Sequence, residues 1–309
     1  MCGTTPPISV PEELARTVGD FFGPEWVDRL PRTAARQCDL WRLRPTGGRP
    51  LHGAVSLVVP VRRADGTPAV LKVLPVDQES EGEPGALRAW AGDGAVRLLA
   101  HDPGNGAMLL EALDPARSLD DVEVDEALRV IGGLLARLNA CPGPTGMRSL
   151  GPIAQTLVER ARPFLTRERV DHRFRRLLAR WSAVAREMAA QPGDRLLHWD
   201  LHFQNVLAPL PGTGREPWVA IDPKPLVGDP GYELLPALRN RFAEEAEPGG
   251  APRSVRRRFD LLTEVAGADR ERARAWTLVR VLEDCVWRLE SGHLQAPRPQ
   301  VTIGEALAG

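Results

Sequence analysis

Leu196-Leu197-His198-Trp199-Asp200-Leu201-His202-Phe203-Gln204-Asn205-Val206-Leu207 sets one carboxylate, one amide and two imidazoles between apolar segments long enough for short strands. A second carboxylate, Asp222, follows about 17 residues after Asn205, at the end of another apolar run, Trp218-Val219-Ala220-Ile221. An Asp, an Asn five residues on and a later Asp at a strand end are the parts of a phosphoryl-transfer site. In that reading Asp200 orients and deprotonates a hydroxyl. The oxygens of Asn205 and Asp222 hold magnesium, a hard cation that prefers such ligands. His198 braces the loop so that Asp200 is aimed, and His202 either braces it or reacts. Asp229, in Gly228-Asp229-Pro230, is either a third carboxylate at the site or a turn-forming Asp before proline.

Working outward, the 309-residue chain has room for two domains. Its net charge of -1 offers no general attraction to nucleic acid or to anionic lipid. The four cysteines, Cys2, Cys38, Cys141 and Cys285, are scattered without metal-ligand or disulfide spacing. The longest apolar run, near residues 54–61, is too short to span a bilayer. Met1-Cys2-Gly3-Thr4-Thr5 lacks the basic and apolar pattern of a signal peptide. A reduced, cytoplasmic setting is the expectation. Of 40 basic residues, only Lys72 and Lys224 are lysines. A compact ammonium is not interchangeable with a planar guanidinium, and both lysines stand beside features picked out on other grounds.

Upstream, residues 38–74 read as strands, with a short helix at Pro11–Arg16 before them. The candidates are Leu40 to Leu43, Ala54 to Val61 and Pro68 to Leu74, the last two joined by the hairpin dipeptide Asp65-Gly66. The loop Thr46 to Gly53 carries three glycines and could lie over phosphates, because its backbone can approach closely. Lys72, in the third strand, is placed as the lysine that binds the non-transferred phosphates and pairs with a Glu from the following helix. Glu79, Glu81 and Glu83 all follow within reach, and Glu83 stands at the start of a helix opened by Pro84. Strands at 95–100 and 107–113, turned by Gly104-Asn105-Gly106, complete a five-stranded antiparallel sheet with one helix. A domain boundary follows, giving 1–113 and 114–309. The segment Leu110-Glu111-Ala112 is the candidate for binding a nucleotide base through its backbone.

Downstream the chain is mostly helical, making the fold α+β. Helical spacing runs through Ala127, Leu128, Ile131, Leu134, Leu135 and Leu138, and again at about 150–166, 171–190, 252–266 and 268–291. Residues 297–309 read as a tail. Two readings of other classes stay open. His198, Asp200 and His202 alternate along the chain and could bind zinc or iron in a metal hydrolase, which would leave Asn205 and Lys72 unexplained. A nucleotide-binding module without catalysis is the other.

The pattern His198-x-Asp200-x-x-x-x-Asn205, with Ile221-Asp222-Pro223-Lys224 and Val227-Gly228-Asp229-Pro230-x-Tyr232-Glu233, resembles the aminoglycoside/hydroxyurea antibiotic-resistance kinase family. Ala86-Leu87-Arg88-Ala89-Trp90, Gly94 to Leu99 and Met108-Leu109-Leu110-Glu111 resemble its first lobe. The resemblance covers residues 40–245. It implies a two-lobed, protein-kinase-like fold, ATP with Mg2+ and transfer of the γ-phosphate to a small-molecule hydroxyl. By match Asp200 is the base, Asn205 and Asp222 the metal ligands and Lys72 the phosphate ligand. Asp222-Pro223-Lys224 departs from the Asp-Phe-Gly of protein kinases, so no phenylalanine-driven switch is expected. The implied acceptor is a cationic aminoglycoside such as streptomycin, with hydroxyurea or another small hydroxylated metabolite as the alternative. Glu233, Glu283 and Asp284 are the carboxylates placed to meet a cationic acceptor.

Overall fold

The computed structural model describes residues 8–242 and 250–308; Cys2 lies outside them. In chain order the elements are α1 (Glu12–Phe22), α2 (Pro24–Leu40), β1 (Arg44–Pro45), β2 (Leu51–His52), β3 (Leu57–Arg62), β4 (Pro68–Val73), α3 (Glu83–Trp90), β5 (Leu98–Asp102), β6 (Ala107–Glu111) and β7 (Leu113–Ser118). There follow α4 (Val124–Leu138), α5 (Leu150–Leu165), α6 (His172–Met188), β8 (Arg195–Leu197), β9 (Val206–Pro209), β10 (Val219–Ala220), β11 (Leu226–Gly228), α7 (Leu234–Arg239), α8 (Ala251–Ala266), α9 (Arg270–Glu290) and α10 (Arg298–Ala308). The chain divides into two compact units. One comprises residues 1–116 and 208–222; the other comprises 117–207 and 223–309. The sequence boundary after residue 113 left 208–222 with the second lobe, whereas this segment, Asp222 included, groups with the first.

The first unit is built on a six-stranded sheet ordered β1-β3-β4-β6-β5, with β2 paired to β3 off that path. Its pairings are antiparallel. The β3–β4 turn uses Gly66 at φ +82, a backbone state that only glycine adopts freely. Strand alternation sorts the side chains of β4. Ala69, Leu71 and Val73 join one buried cluster with Leu57, Val59, Val61 and with Leu14, Val18, Leu30, Ala34 and Cys38 of α1 and α2. Lys72 is thereby turned to the opposite face.

Two expectations for the N-terminal third are corrected. The short helix at residues 11–16 is the beginning of a helical pair, and the strand expected at Leu40 to Leu43 is instead the last residue of α2 and the turn that follows it. Leu30, Ala34, Gln37 and Cys38 are the buried face of that helix, at helical rather than alternating spacing. Gly23, Pro24 and Pro31 punctuate the segment and hide its period. Pro24 suits a helix start, where its missing N–H costs nothing.

In the second unit α4 packs on α8, α5 on α6, and α6 on α9. Trp181, Trp276, Tyr232, Phe174 and Phe259 fill the interior, and the Tyr232 and Trp276 rings meet edge to face at 5.7 Å. β8 pairs antiparallel with β11, Leu197 opposite Leu226. The expected tail is instead the helix α10, packed on α8 and α9. Its Gly304 lies so close to Trp181 that a Cβ there would come within 2.3 Å of the ring. Ile303, Leu307 and Ala308 share the buried face, a stripe too short to stand out beside Pro297 and Pro299.

Candidate active site

In the first unit, β4 and α3 bring Lys72 and Glu83 together. Lys72 Nζ donates to both Glu83 carboxylate oxygens at 2.7 Å and to Asp222 Oδ1 at 2.5 Å. The Lys72 side chain is 5% exposed and that of Glu83 1%. Glu83 reaches Lys72 although it begins α3, which settles which of the three nearby glutamates is the partner. Burial alone would push the Lys72 ammonium down, but the Asp222 and Glu83 carboxylates more than offset it, so the group is held protonated. Asp222 itself has φ +58, a left-handed conformation unusual for a side-chain-bearing residue. The glycine-bearing loop passes close by: a Cβ on Gly53 would lie 3.7 Å from Asp222 Oδ2 and 2.7 Å from Ser56 Oγ. Arg215 braces the same unit, donating to the carbonyls of Gly92 and Ala95 and pairing with Glu111 at 3.3 Å. At the candidate base segment, Leu110 and Glu111 close β6, and the Glu111 N–H donates to the Arg97 carbonyl while its carboxylate accepts from the Arg97 N–H. Ala112 separates β6 from β7.

In the second unit, residues 198–205 form a loop between β8 and β9, tied down at many points. The Lys224 N–H donates to the His198 carbonyl at 3.1 Å. Trp199 has φ +69, and its N–H donates to Glu233 Oε1 at 2.6 Å. The Asn205 amide nitrogen donates to the Asp200 carbonyl at 2.9 Å, leaving Oδ1 as the atom Asn205 would present to a metal. His202 Nδ1 accepts from the Gln204 N–H, and Gln204 reaches Asp120 at 3.0 Å. His198 is fully buried. The His202 ring thus caps the turn at Gln204, and the His198 bond to Lys224 runs through its backbone carbonyl. The Asp200 carboxylate, 15% exposed, has Lys224 Nζ 3.5 Å from Oδ2 and Arg239 Nη2 3.9 Å from Oδ1. Among the described residues no group of three or more His, Cys, Asp or Glu side chains could hold a metal ion, so the His–Asp–His hydrolase set is not assembled.

The remaining four candidate carboxylates are each engaged by groups of the second unit. Glu233 is fully buried and accepts from the Trp199 N–H. A carboxylate so placed anchors the loop and cannot meet a ligand arriving from solvent. Burial pushes it up to about 7, against the pull of hydrogen bonds from the backbone of Trp199 and the side chain of Asn139. Asp229 accepts from the Gly231 N–H at 2.8 Å and pairs with Arg272, a turn-forming role. It lines a cavity of about 490 Å3 with Asn139, Arg195, Asp269 and Arg272, and neither Asp200 nor Asn205 reaches that cavity. Glu283 accepts from the Tyr232 hydroxyl at 2.7 Å and from Arg280. Asp284 holds Arg239 at 2.6 Å.

Arg280 and Arg148, which sequence reasoning passed over, join Lys224 around Trp199. Arg280, Arg148 and Lys224 stand over its ring at 4.0, 4.5 and 5.8 Å. Arg148 also donates to the carbonyls of Lys224 and Pro225. The only signal in the sequence is a bulky aromatic wedged between His198 and Asp200.

Residues 40–292 match the aminoglycoside/hydroxyurea antibiotic resistance kinase family. The chain belongs to that family. It is 50% identical over 308 residues to a hydroxyurea phosphotransferase of Kitasatospora aureofaciens, covering 98% of this chain and 86% of the relative. It is 47% identical over 305 residues to a streptomycin 6-kinase of Streptomyces griseus, covering 97% of each. Among solved structures it is similar to a spectinomycin phosphotransferase bound to ADP and spectinomycin, with a TM-score of 0.56, 13% identity and coverage of 90% of this chain and 98% of the other. A similar match, TM-score 0.54 and 19% identity, covers 89% of this chain and 96% of a fructosamine-3-kinase homologue from Thermobifida fusca. At such identities these likenesses establish the two-lobed, protein-kinase-like α+β fold and no more. Family membership makes this resistance-family kinase an ATP-using small-molecule phosphotransferase. No helix among the described residues is long and apolar enough to cross a membrane.

Proposed function

We propose that this kinase moves the γ-phosphate of ATP to a hydroxyl of an aminoglycoside of the streptomycin type. The observation that carries the reading is the clamped loop: Asn205 holds the Asp200 carbonyl at 2.9 Å while the Asp200 side chain stays 15% exposed. A fixed carboxylate can accept the hydrogen bond of an acceptor hydroxyl and take its proton during attack. Lys72 binds the non-transferred phosphates, kept protonated by Glu83 and Asp222. The backbone of Leu110, Glu111 and Ala112 receives the base. Asn205 Oδ1 and the Asp222 carboxylate are hard oxygen donors of the kind magnesium takes. Magnesium taken by such donors would supply positive charge to the phosphate oxygens. A cytoplasmic setting, where ATP is available, fits this reading, as does an acceptor that is neither nucleic acid nor membrane.

A second reading has an observation of its own. Glu283 and Asp284 are each paired to arginine, and Glu233 is buried. A strongly cationic acceptor would have to displace those arginines, whereas a small uncharged one, hydroxyurea included, asks for no carboxylate. ATP consumption measured over aminoglycosides, hydroxyurea and sugars separates the two. Turnover with none of them would remove the acceptor claim. Asp200→Ala should lose at least about 100-fold in transfer while ADP binding is kept. Undiminished transfer by that variant would remove Asp200 from the mechanism.

A further inference from the structure

Thirty-eight of the forty basic residues in this chain are arginine, and the two lysines each touch a carboxylate of the candidate site. Lys72 holds Asp222, and Lys224 lies 3.5 Å from Asp200 Oδ2. The surroundings of Lys224 are built. Its N–H is bound to the His198 carbonyl, and its own carbonyl receives Arg148 Nη2 at 3.0 Å. Pro223 and Pro225 flank it, fixing φ on both sides. The Trp199 ring lies 5.8 Å from its ammonium. A segment clamped in this way exists to put one positive charge at one point.

Chemistry explains why that charge should be an ammonium. A guanidinium at this position would close a two-pronged fork on the carboxylate and occupy the lone pairs that must accept the acceptor hydroxyl. An ammonium held 3.5 Å away leaves those lone pairs open. The guanidinium that does come near, Arg239, is drawn off by Asp284 at 2.6 Å and stays 3.9 Å from Asp200.

We propose that Lys224 is a catalytic residue of the transfer step, its ammonium neutralising charge on the phosphoryl group as it passes to the acceptor. This rests on the kinase reading above. The acceptor oxygen forms a bond to the γ-phosphorus, and the bond from that phosphorus to the bridging oxygen of the departing ADP breaks. The hydroxyl proton goes to Asp200, and Lys224 keeps its own proton throughout. Trp199 and Arg148 are positioning residues for it.

The test compares wild type with Lys224→Met, Lys224→Arg and Lys224→Cys, the last before and after alkylation with 2-bromoethylamine, which rebuilds an ammonium of nearly the same reach. Wild type treated with the reagent controls for the other thiols. Losing one preorganised charge at a developing anion should lower kcat about 100- to 1000-fold. KM for ATP and for the acceptor should move less than about threefold, because the charge acts on the transition state and not on ground-state binding. Lys224→Arg should stay impaired, and alkylation of the Cys variant should recover at least about tenfold. ADP binding and the thermal midpoint report whether each variant is folded, and the alkylation comparison holds fold constant within one variant. A Lys224→Met enzyme with kcat near wild type, an unimpaired Lys224→Arg, or a loss confined to KM would each overturn the proposal. Failure of wild type to phosphorylate any acceptor counts against the functional reading instead. The kcat comparison then passes to the slow hydrolysis of ATP by water, which needs no acceptor and asks the same of Lys224.

Discussion

Replacing Glu233 by glutamine removes one charge from the interior of the second unit and leaves the shape of the side chain almost unchanged. The carboxyl is fully buried, and burial raises it from an ordinary 4.5 to about 7. Below pH 4.5 the folded and unfolded chains both hold the proton, and the group contributes no pH dependence. Between 4.5 and 7 the unfolded chain ionises while the folded one keeps its proton, so stability falls as pH rises. Above 7 the loss is complete and amounts to roughly 3 kcal/mol. Glutamine carries no such penalty at any pH. Its oxygen can still accept the Trp199 N–H, and its amide can donate to Asn139 Oδ1, a buried atom without a hydrogen-bond partner. Exchanging an ionisable acceptor for a neutral one costs about 1 kcal/mol.

Glu233→Gln should therefore be slightly less stable than wild type near pH 4.5 and about 2 kcal/mol more stable above pH 7.5, the two crossing between roughly pH 5 and 6. Thermal midpoints followed by tryptophan fluorescence from pH 4.5 to 8.5 read this directly. At about 2–4 °C per kcal/mol for a body of this size, the difference should swing by roughly 6–10 °C. Curves that run parallel across that range would refute the claim that a buried, raised carboxyl anchors the loop. Activity is the companion readout. Glutamine keeps the anchor and should retain most of kcat, while Glu233→Ala strands the Trp199 N–H and should lose it.

Lys72→Met leaves the Glu83 and Asp222 carboxylates without their shared cation. It should destabilise the first unit by about 3 kcal/mol and raise KM for ATP by at least tenfold, with urea unfolding and nucleotide titration as the measurements; near-wild-type values for both would deny Lys72 its role. Glu83→Gln preserves the side-chain shape and should be milder on both counts. Gly53→Val places a Cβ 2.7 Å from Ser56 Oγ and adds bulk toward Asp222. It should weaken ATP binding and, because Ser56 is buried, also lower the thermal midpoint; unchanged nucleotide affinity would show that the loop does not cover the phosphates.

What was legible in the sequence follows from the range of the interactions involved. The β3–β4 hairpin, Lys72 at its end and the Asp200–Asn205 spacing are all set by neighbours within a few residues, where alternation and turn chemistry speak plainly. Glu83 was legible as a candidate, and the start of α3 proved close enough to β4 for the pair to form. The return of residues 208–222 to the first unit was not legible, because strands as short as Val219–Ala220 carry no period of their own. Nor were the roles of Glu233, Glu283 and Asp284. A carboxylate looks the same in sequence whether it faces solvent, a backbone N–H or an arginine, and its partners Trp199, Arg280 and Arg239 lie up to 45 residues away. Helix α2 hid behind its prolines.

The least legible feature is also the most telling about function. Five residues other than glycine are at positive φ among the described residues: Arg42, Ala91, Trp199, Asp222 and Arg241. Two of these, Trp199 and Asp222, are next to the candidate base and at the candidate metal ligand. For a side-chain-bearing residue this state costs on the order of 1–2 kcal/mol, and it persists only where the surroundings over-determine it. Both are over-determined by charge. Asp222 is held by Lys72 at 2.5 Å, and Trp199 by Glu233 at its N–H and by Arg280 and Arg148 across its ring. Glycine at either position would relieve the backbone and surrender the side chain. At residue 222 that loses a carboxylate, which any site of this kind must keep. At residue 199 it loses only an indole, which no step of phosphoryl transfer requires. A tryptophan retained against its backbone preference must therefore serve through what it holds, and the cation it helps to keep beside Asp200 is Lys224.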